Sequence, residues 1–129
     1  MRNLGVLKAG ATIVLAFALP HVAIAAGDAA KGAKVFNQCK ICHTNVQNKN
    51  AIGPSLFGVI GRKAGTEPGF SYSPAMKKAG EGGLVWSAET LDKYLSNPAA
   101  MIPGNKMTFA GLKKEDDRED VIAYLETLK

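Results

Sequence analysis

The chain has 129 residues, two cysteines, fourteen glycines, few aromatic side chains and a formal charge of +5. That is one domain's worth of polypeptide, with a modest apolar core of its own. The positive balance is not laid out as basic runs interleaved with aromatics, which excludes a nucleic-acid surface, and two thiols fall short of the roughly four ligands a structural zinc site needs.

Residues 1–26 read as a leader. Arg2 and Lys8 give it a positive start, an apolar run covers 9–19, and Pro20 is followed by the small-residue string Ala23-Ile24-Ala25-Ala26. Charge, length and cleavage chemistry are those of a secretory signal peptide, cut after Ala25 or Ala26. An uncleaved anchor is the weaker reading, because the run is broken by Pro20 and His21 and is shorter than the ~20 residues of a spanning helix. Removing the leader leaves 27–129 as a single domain with 14 basic and 11 acidic side chains, a balance of +3, and with His43 as its only histidine. The expected address is the periplasm of a bacterium.

A first helix is predicted over 27–36. Asp28 is placed to cap it, Ala29, Ala33 and Phe36 share a face, and Gly32 and Ala33 are small enough for another helix to cross closely. It leads into Cys39-Lys40-Ile41-Cys42-His43. On a helical turn positions i, i+3 and i+4 share a side, so both sulfurs and an imidazole nitrogen can approach one flat ligand. That string is the attachment signature of a c-type haem, with Cys39 and Cys42 as thioethers and His43 on the iron. A thioredoxin-like CxxC would want a βαβ setting, and the flanks hold no alternating β-branched run. With the one imidazole committed to iron, bis-histidine ligation within one chain and a histidine-based catalytic triad are both excluded.

From 44 to 83 the chain is rich in Gly, Pro, Asn and Ser and has little periodicity. A loop this long counts against a compact domain unless it packs on a cofactor. Within it a short helical turn is predicted over 74–79. Ser87 caps the next helix, with Leu91, Tyr94 and Leu95 on its buried face, and Asn97-Pro98 ends it. Residues 101–107 read as a loop. The last helix is predicted over 115–128, with Val121, Tyr124, Leu125 and Leu128 as its apolar stripe. Its acids Glu115, Asp116, Asp117, Glu119 and Asp120 lie in the first turns, where they oppose the positive end of the helix dipole.

Several of these stretches, in one order, resemble the class I c-type cytochromes, most closely the cytochrome c2 and mitochondrial-type cytochrome c group. They are Gly27-Asp28, the CxxCH string, Gly53-Pro54-Ser55-Leu56, Gly61-Arg62-Lys63, Gly69-Phe70-Ser71-Tyr72, Pro103-Gly104-Asn105-Lys106-Met107 and Arg118-Glu119-Asp120-Val121-Ile122-Ala123-Tyr124-Leu125. The resemblance covers essentially all of 27–129. It implies an all-α, small cytochrome c fold, with terminal helices crossing at Phe36, Val121 and Tyr124 and long loops wrapped around one covalently bound haem c. It implies Met107 as the second axial ligand, with Lys106 as the alternative, and leaves Met76 and Met101 to packing. A neutral thioether favours ferrous iron and raises the potential, as in cytochromes c generally. The resemblance further implies that the Pro54 carbonyl accepts the His43 ring N–H, that Tyr94 lies near the methionine sulfur, and that Arg62, Tyr72 and Trp86 meet the haem propionates.

With both axial positions filled, no substrate reaches iron, and the implied work is one-electron transfer without catalysis. The implied partners are membrane-bound redox complexes, such as a bc1-type complex and a terminal oxidase or photosynthetic reaction centre, met by a monomer through a lysine-bearing haem edge. Lys106, Lys113 and Lys114 remain of that edge. Ala99 and Ala100 stand where many relatives have lysines, and Gln38 precedes the first thiol, so steering is moderate and weakened by salt. Two alternatives stand beside the carrier. A peroxidase-like haem enzyme would have a labile sixth ligand and bind carbon monoxide rapidly; a membrane-anchored cytochrome subunit would retain the leader.

Overall fold

Five α-helices and one 3-10 segment are joined by long irregular stretches in the computed structural model, which describes residues 27–129. The leader reading over 1–26 lies outside the described residues. Among the described residues the one extended pairing is an isolated antiparallel bridge between Lys63 and Val85. None of their helices is long and apolar enough to cross a membrane.

Helix α1 (Ala29–Val35) begins where the Asp28 carboxylate accepts the Ala30 and Lys31 N–H groups at 2.8 and 3.1 Å. Beyond Val35 the coil does not stay α-helical. Phe36–Ile41 tightens into a 3-10 segment, a frequent way for a helix end to satisfy its last carbonyls. The Cys39 carbonyl then accepts both the Cys42 N–H at 3.1 Å and the His43 N–H at 2.8 Å.

Helix α2 (Pro74–Glu81) is longer than the predicted turn. Ser73 caps it by accepting the Met76 N–H at 3.1 Å, and Pro74 occupies the first position, where no N–H is missed. Helix α3 (Ala88–Ser96) starts on a reciprocal capping box between Ser87 and Thr90. A further single turn, α4 (Pro98–Met101), falls where the sequence reading had only a helix end. Asn97 both closes α3 and caps α4, its side-chain oxygen accepting the Ala100 N–H at 3.2 Å. The last helix, α5 (Glu115–Glu126), buries Val121, Ile122 and Leu125, while Tyr124 is half-buried. Its covered face is thus broader than the predicted stripe.

The terminal helices cross as the resemblance implied. A Cβ at Gly32 would overlap the Asp120 carbonyl, so only glycine lets α1 lie this close to α5. Phe36 is fully buried there, its ring 5.0 Å from that of Tyr124, and Val121 fills the space beside it. Burying a phenylalanine contributes ~1.5–3 kcal/mol. The Asp28 N–H donates to the Asp120 carboxylate at 2.6 Å, and an ion pair of 2.6 Å between Arg118 and Asp92 ties α5 to α3.

Residues 44–73 are held differently, by side chains that grip backbone. The fully buried Ser55 donates to the Val46 carbonyl at 2.6 Å, and its N–H reaches the Asn50 side-chain oxygen at 2.9 Å. The amide of Asn50 in turn donates to the Pro68 carbonyl at 2.9 Å.

Candidate haem site

Between the 3-10 segment, the loops around 52–62 and 70–76, helix α3 and residues 105–109 lies a cavity of about 470 Å³. Leu91, Leu95, Leu112, Val121 and Leu125 form much of its apolar wall. A mostly apolar hollow of this size with a few convergent polar groups is what a cofactor requires. Cys39, Cys42, His43, Arg62, Tyr72, Trp86, Tyr94 and Met107, dispersed over 69 positions of sequence, all line it.

Cys39 and Cys42 are half-buried and unpaired. Burial pushes the Cys39 thiol up to about 11, so it stays protonated at neutral pH. The Nδ1 of His43 lies 2.7 Å from the Pro54 carbonyl oxygen. A carbonyl can only accept, so Nδ1 carries the proton and Nε2 keeps a free lone pair. Burial lowers the affinity of this ring for a second proton; the bond to Pro54 opposes that shift and the Arg62 charge adds to it. Gly53 wedges the imidazole in place: a Cβ there would lie 2.5 Å from its Cε1 and 2.7 Å from its Nδ1.

On another part of the wall the Tyr94 hydroxyl donates to the Met107 sulfur at 3.4 Å. Burial pushes this phenol up to about 12, which keeps the donating proton in place. The loop carrying Met107 turns at Gly104, whose φ is +85°. Asn105 then pins it. Its side-chain oxygen accepts the Met107 N–H at 2.8 Å, and its amide donates to the Pro98 and Ile102 carbonyls at 3.0 and 2.8 Å. The sequence reading gave Asn105 no separate role, although an asparagine after Pro-Gly is a recognisable turn signal. Lys106, the alternative ligand, donates to the Ser71 carbonyl at 3.2 Å. Met76 is buried and faces the cavity, whereas Met101 is half-buried against the core.

Arg62 is engaged by the protein itself. One terminal nitrogen donates to the Ser55 carbonyl at 2.9 Å and to Glu67 at 2.7 Å; the other donates to Ser55 at 2.9 Å and Phe57 at 3.2 Å. The side chains of this ion pair are 12% and 10% exposed, so it is a buried one. Glu67 was absent from the sequence reading, where nothing but a spacing of five marks it. Its N–H donates to the Tyr72 hydroxyl at 3.0 Å, and burial raises the Tyr72 phenol above its usual range. Trp86 is buried with its ring 4.9 Å from that of Tyr94. Of the edge lysines, Lys106 lines the cavity, Lys113 donates to the Ser96 and Ala110 carbonyls at 3.1 and 2.8 Å, and Lys114 is exposed ahead of α5.

Residues 29–129 match the cytochrome c family. The chain belongs to it. Cytochrome c2 of Rhodomicrobium vannielii is 49% identical over 128 residues, covering 98% of this chain and 97% of that one. The ferricytochrome c2 structure from Rhodopseudomonas palustris superposes with a TM-score of 0.73 at 46% identity, covering 79% of this chain and 99% of that one. Cytochrome c2 from Rhodospirillum centenum gives 0.76 at 42% identity, with 79% and 98% covered. The chain is thus a class I c-type cytochrome of the cytochrome c2 group, with the small cytochrome c fold. It is an electron carrier and not an enzyme, and its cofactor is a covalently bound haem c with iron. Two free thiols, a neutral imidazole and a thioether on one apolar cavity are a donor set suited to that group.

Proposed function

We propose that this cytochrome is a periplasmic one-electron shuttle whose haem is joined to Cys39 and Cys42 and ligated by His43 and Met107. The observation that carries the proposal is that both ligand side chains are fixed on the wall of the same cavity by protein hydrogen bonds: His43 to the Pro54 carbonyl, Met107 by the Tyr94 hydroxyl. Bound there, the haem supplies an iron that takes up one electron and gives it back.

The chain's own residues do the rest. Pro54 and Gly53 set the tautomer and orientation of His43, and Nε2 is left as the donor atom. Tyr94 and Asn105 set the position of the Met107 sulfur, which would be the thioether donor to the iron. The apolar wall keeps water out and favours the less charged ferrous form. Arg62, Tyr72 and Trp86 would hold the propionates, with Arg62 oriented by its pairing to Glu67. The positive start, short apolar run and small-residue string of 1–26 support its reading as a leader ahead of a 27–129 domain. Lys106, Lys113 and Lys114 would steer the protein, as a monomer, to membrane-bound complexes that feed and drain it.

Visible spectra of the oxidised and reduced protein test the ligand set. The ferric form should show a sulfur-to-iron band that Met107→Ala abolishes, and the pigment should stay with the protein in acidified acetone. A band unchanged by that substitution would remove Met107 from the iron.

A further inference from the structure

Stability alone does not account for the buried pair of Arg62 and Glu67, since replacing such a pair by apolar side chains is often neutral or stabilising. Arg62 and Tyr72 line the cavity, whereas Glu67 does not and stands behind them. Its place is fixed by a ring of bonds. The Asn50 amide holds the carbonyl of Pro68, the next residue, and the Asn50 oxygen accepts the N–H of Ser55, whose carbonyl receives Arg62. The 2.7 Å bond from Arg62 to Glu67 closes the ring, and the Glu67 N–H ties it to the Tyr72 hydroxyl.

A count of hydrogens shows what this ring leaves for the cavity. A guanidinium has five N–H donors, four of them on its terminal nitrogens. Two bonds to the Ser55 carbonyl, one to Glu67 and one to Phe57 take all four from Arg62. Only its Nε–H remains. The Tyr72 oxygen accepts the Glu67 N–H, so its own hydrogen is left to donate. The corner therefore offers hydrogen-bond donors, while the charge of Arg62 is balanced by a carboxylate of the chain itself.

We infer that Glu67 is a positioning residue for the electron-transfer reaction, one that neutralises Arg62 and so holds the haem potential below the value an unpaired guanidinium would set. The inference rests on the reading that Arg62 and Tyr72 meet the propionates. Ferric iron carries one more positive charge than ferrous iron, so a fixed anion nearby favours the ferric form and a fixed cation the ferrous one. The half-reaction is the uptake of one electron from the redox partner, ferric to ferrous, with no atom or proton transferred.

Potentiometric titration of the haem-loaded protein tests this. Glu67→Gln keeps an oxygen for Arg62 and removes the charge; at a fixed ambient potential the ratio of ferrous to ferric protein should rise about threefold, roughly 28 mV for one electron. Glu67→Asp restores the charge and should bring the ratio most of the way back. Glu81→Gln removes an exposed acid that solvent screens, and should leave the ratio where it was. In urea, Glu67→Gln should destabilise the ferric form more than the ferrous form by the same factor, whereas a merely structural role would cost both alike. The sulfur-to-iron band should be unchanged in each variant, which shows that the iron's ligands have not moved. A ratio unmoved or lowered in Glu67→Gln, or equal destabilisation of the two oxidation states, would overturn the inference. Tyr72→Phe takes a donor from the same corner and should lower the ratio. If it does so while Glu67→Gln has no effect, Glu67 is excluded and the placing of the propionates stands; if neither substitution moves the ratio, that placing fails as well.

Discussion

Where α1 crosses α5 the polypeptide packs against itself, with Gly32 under the Asp120 carbonyl and Phe36 against Tyr124. Over 44–73 and 102–113 it packs around a hollow, and Ser55, Asn50, Arg62 and Asn105 tie the backbone into a shell. The crossing has its apolar partners within the chain. The shell's inner wall looks to the cofactor for its partner. A domain of about a hundred residues has too few large side chains to do both with helices alone, so α3 and α5 lend one face to the cavity wall and the glycine-rich loops close the rest of it.

The largest expected effect comes from withholding haem. Amide exchange across 44–73 and 102–113 should accelerate about a thousandfold while α1 and α5 retain more protection, and equal acceleration everywhere would break the comparison. Next is Gly32→Val, which forces α1 off α5 and should cost about 3 kcal/mol in urea unfolding of the haem-loaded protein while leaving the visible spectrum in place. Glu67→Gln, on the shell side, leaves the buried Arg62 charge without its counterion; about 2 kcal/mol should be lost, because the Ser55 and Phe57 carbonyls still hold the guanidinium. The smallest effect is on acid stability. The Lys31 N–H, and then that of Ala30, hold the Asp28 carboxyl below its ordinary 3.8. Its stabilising share is therefore complete above that value and is lost as pH falls through the lowered one. Asp28→Asn should flatten that part of the acid unfolding curve and leave the rest unchanged.

The helical half was legible because its signals are local. Asp28 and Ser87 are side chains whose capping bonds reach two or three residues, and the α5 stripe repeats every three or four. Helix α4 escaped because one Asn97 serves two helices, and a four-residue turn carries no period. The 3-10 tightening after Val35 escaped because both coils place Cys39, Cys42 and His43 within one turn. In the site, the CxxCH string spoke for itself, whereas choosing Met107 over Met76 and Met101 rested on family resemblance. Glu67 was illegible for another reason: its bonds join one loop residue to another, and no propensity or spacing encodes such a contact, whereas Asn105 left a turn signal after Pro-Gly that does not say which backbone groups it will hold.

Gly53 shows how a missing side chain can govern which sequences survive. Its φ is not among the positive ones, so any residue could take up its backbone shape, and what forbids substitution is the His43 ring lying 2.5 Å from where a methyl group would go. Drift in this lineage should be free to exchange isoleucine for valine along the cavity wall, yet find position 53 closed even to alanine. That closure comes from the neighbouring ring, so a variant that rotated the imidazole would reopen it.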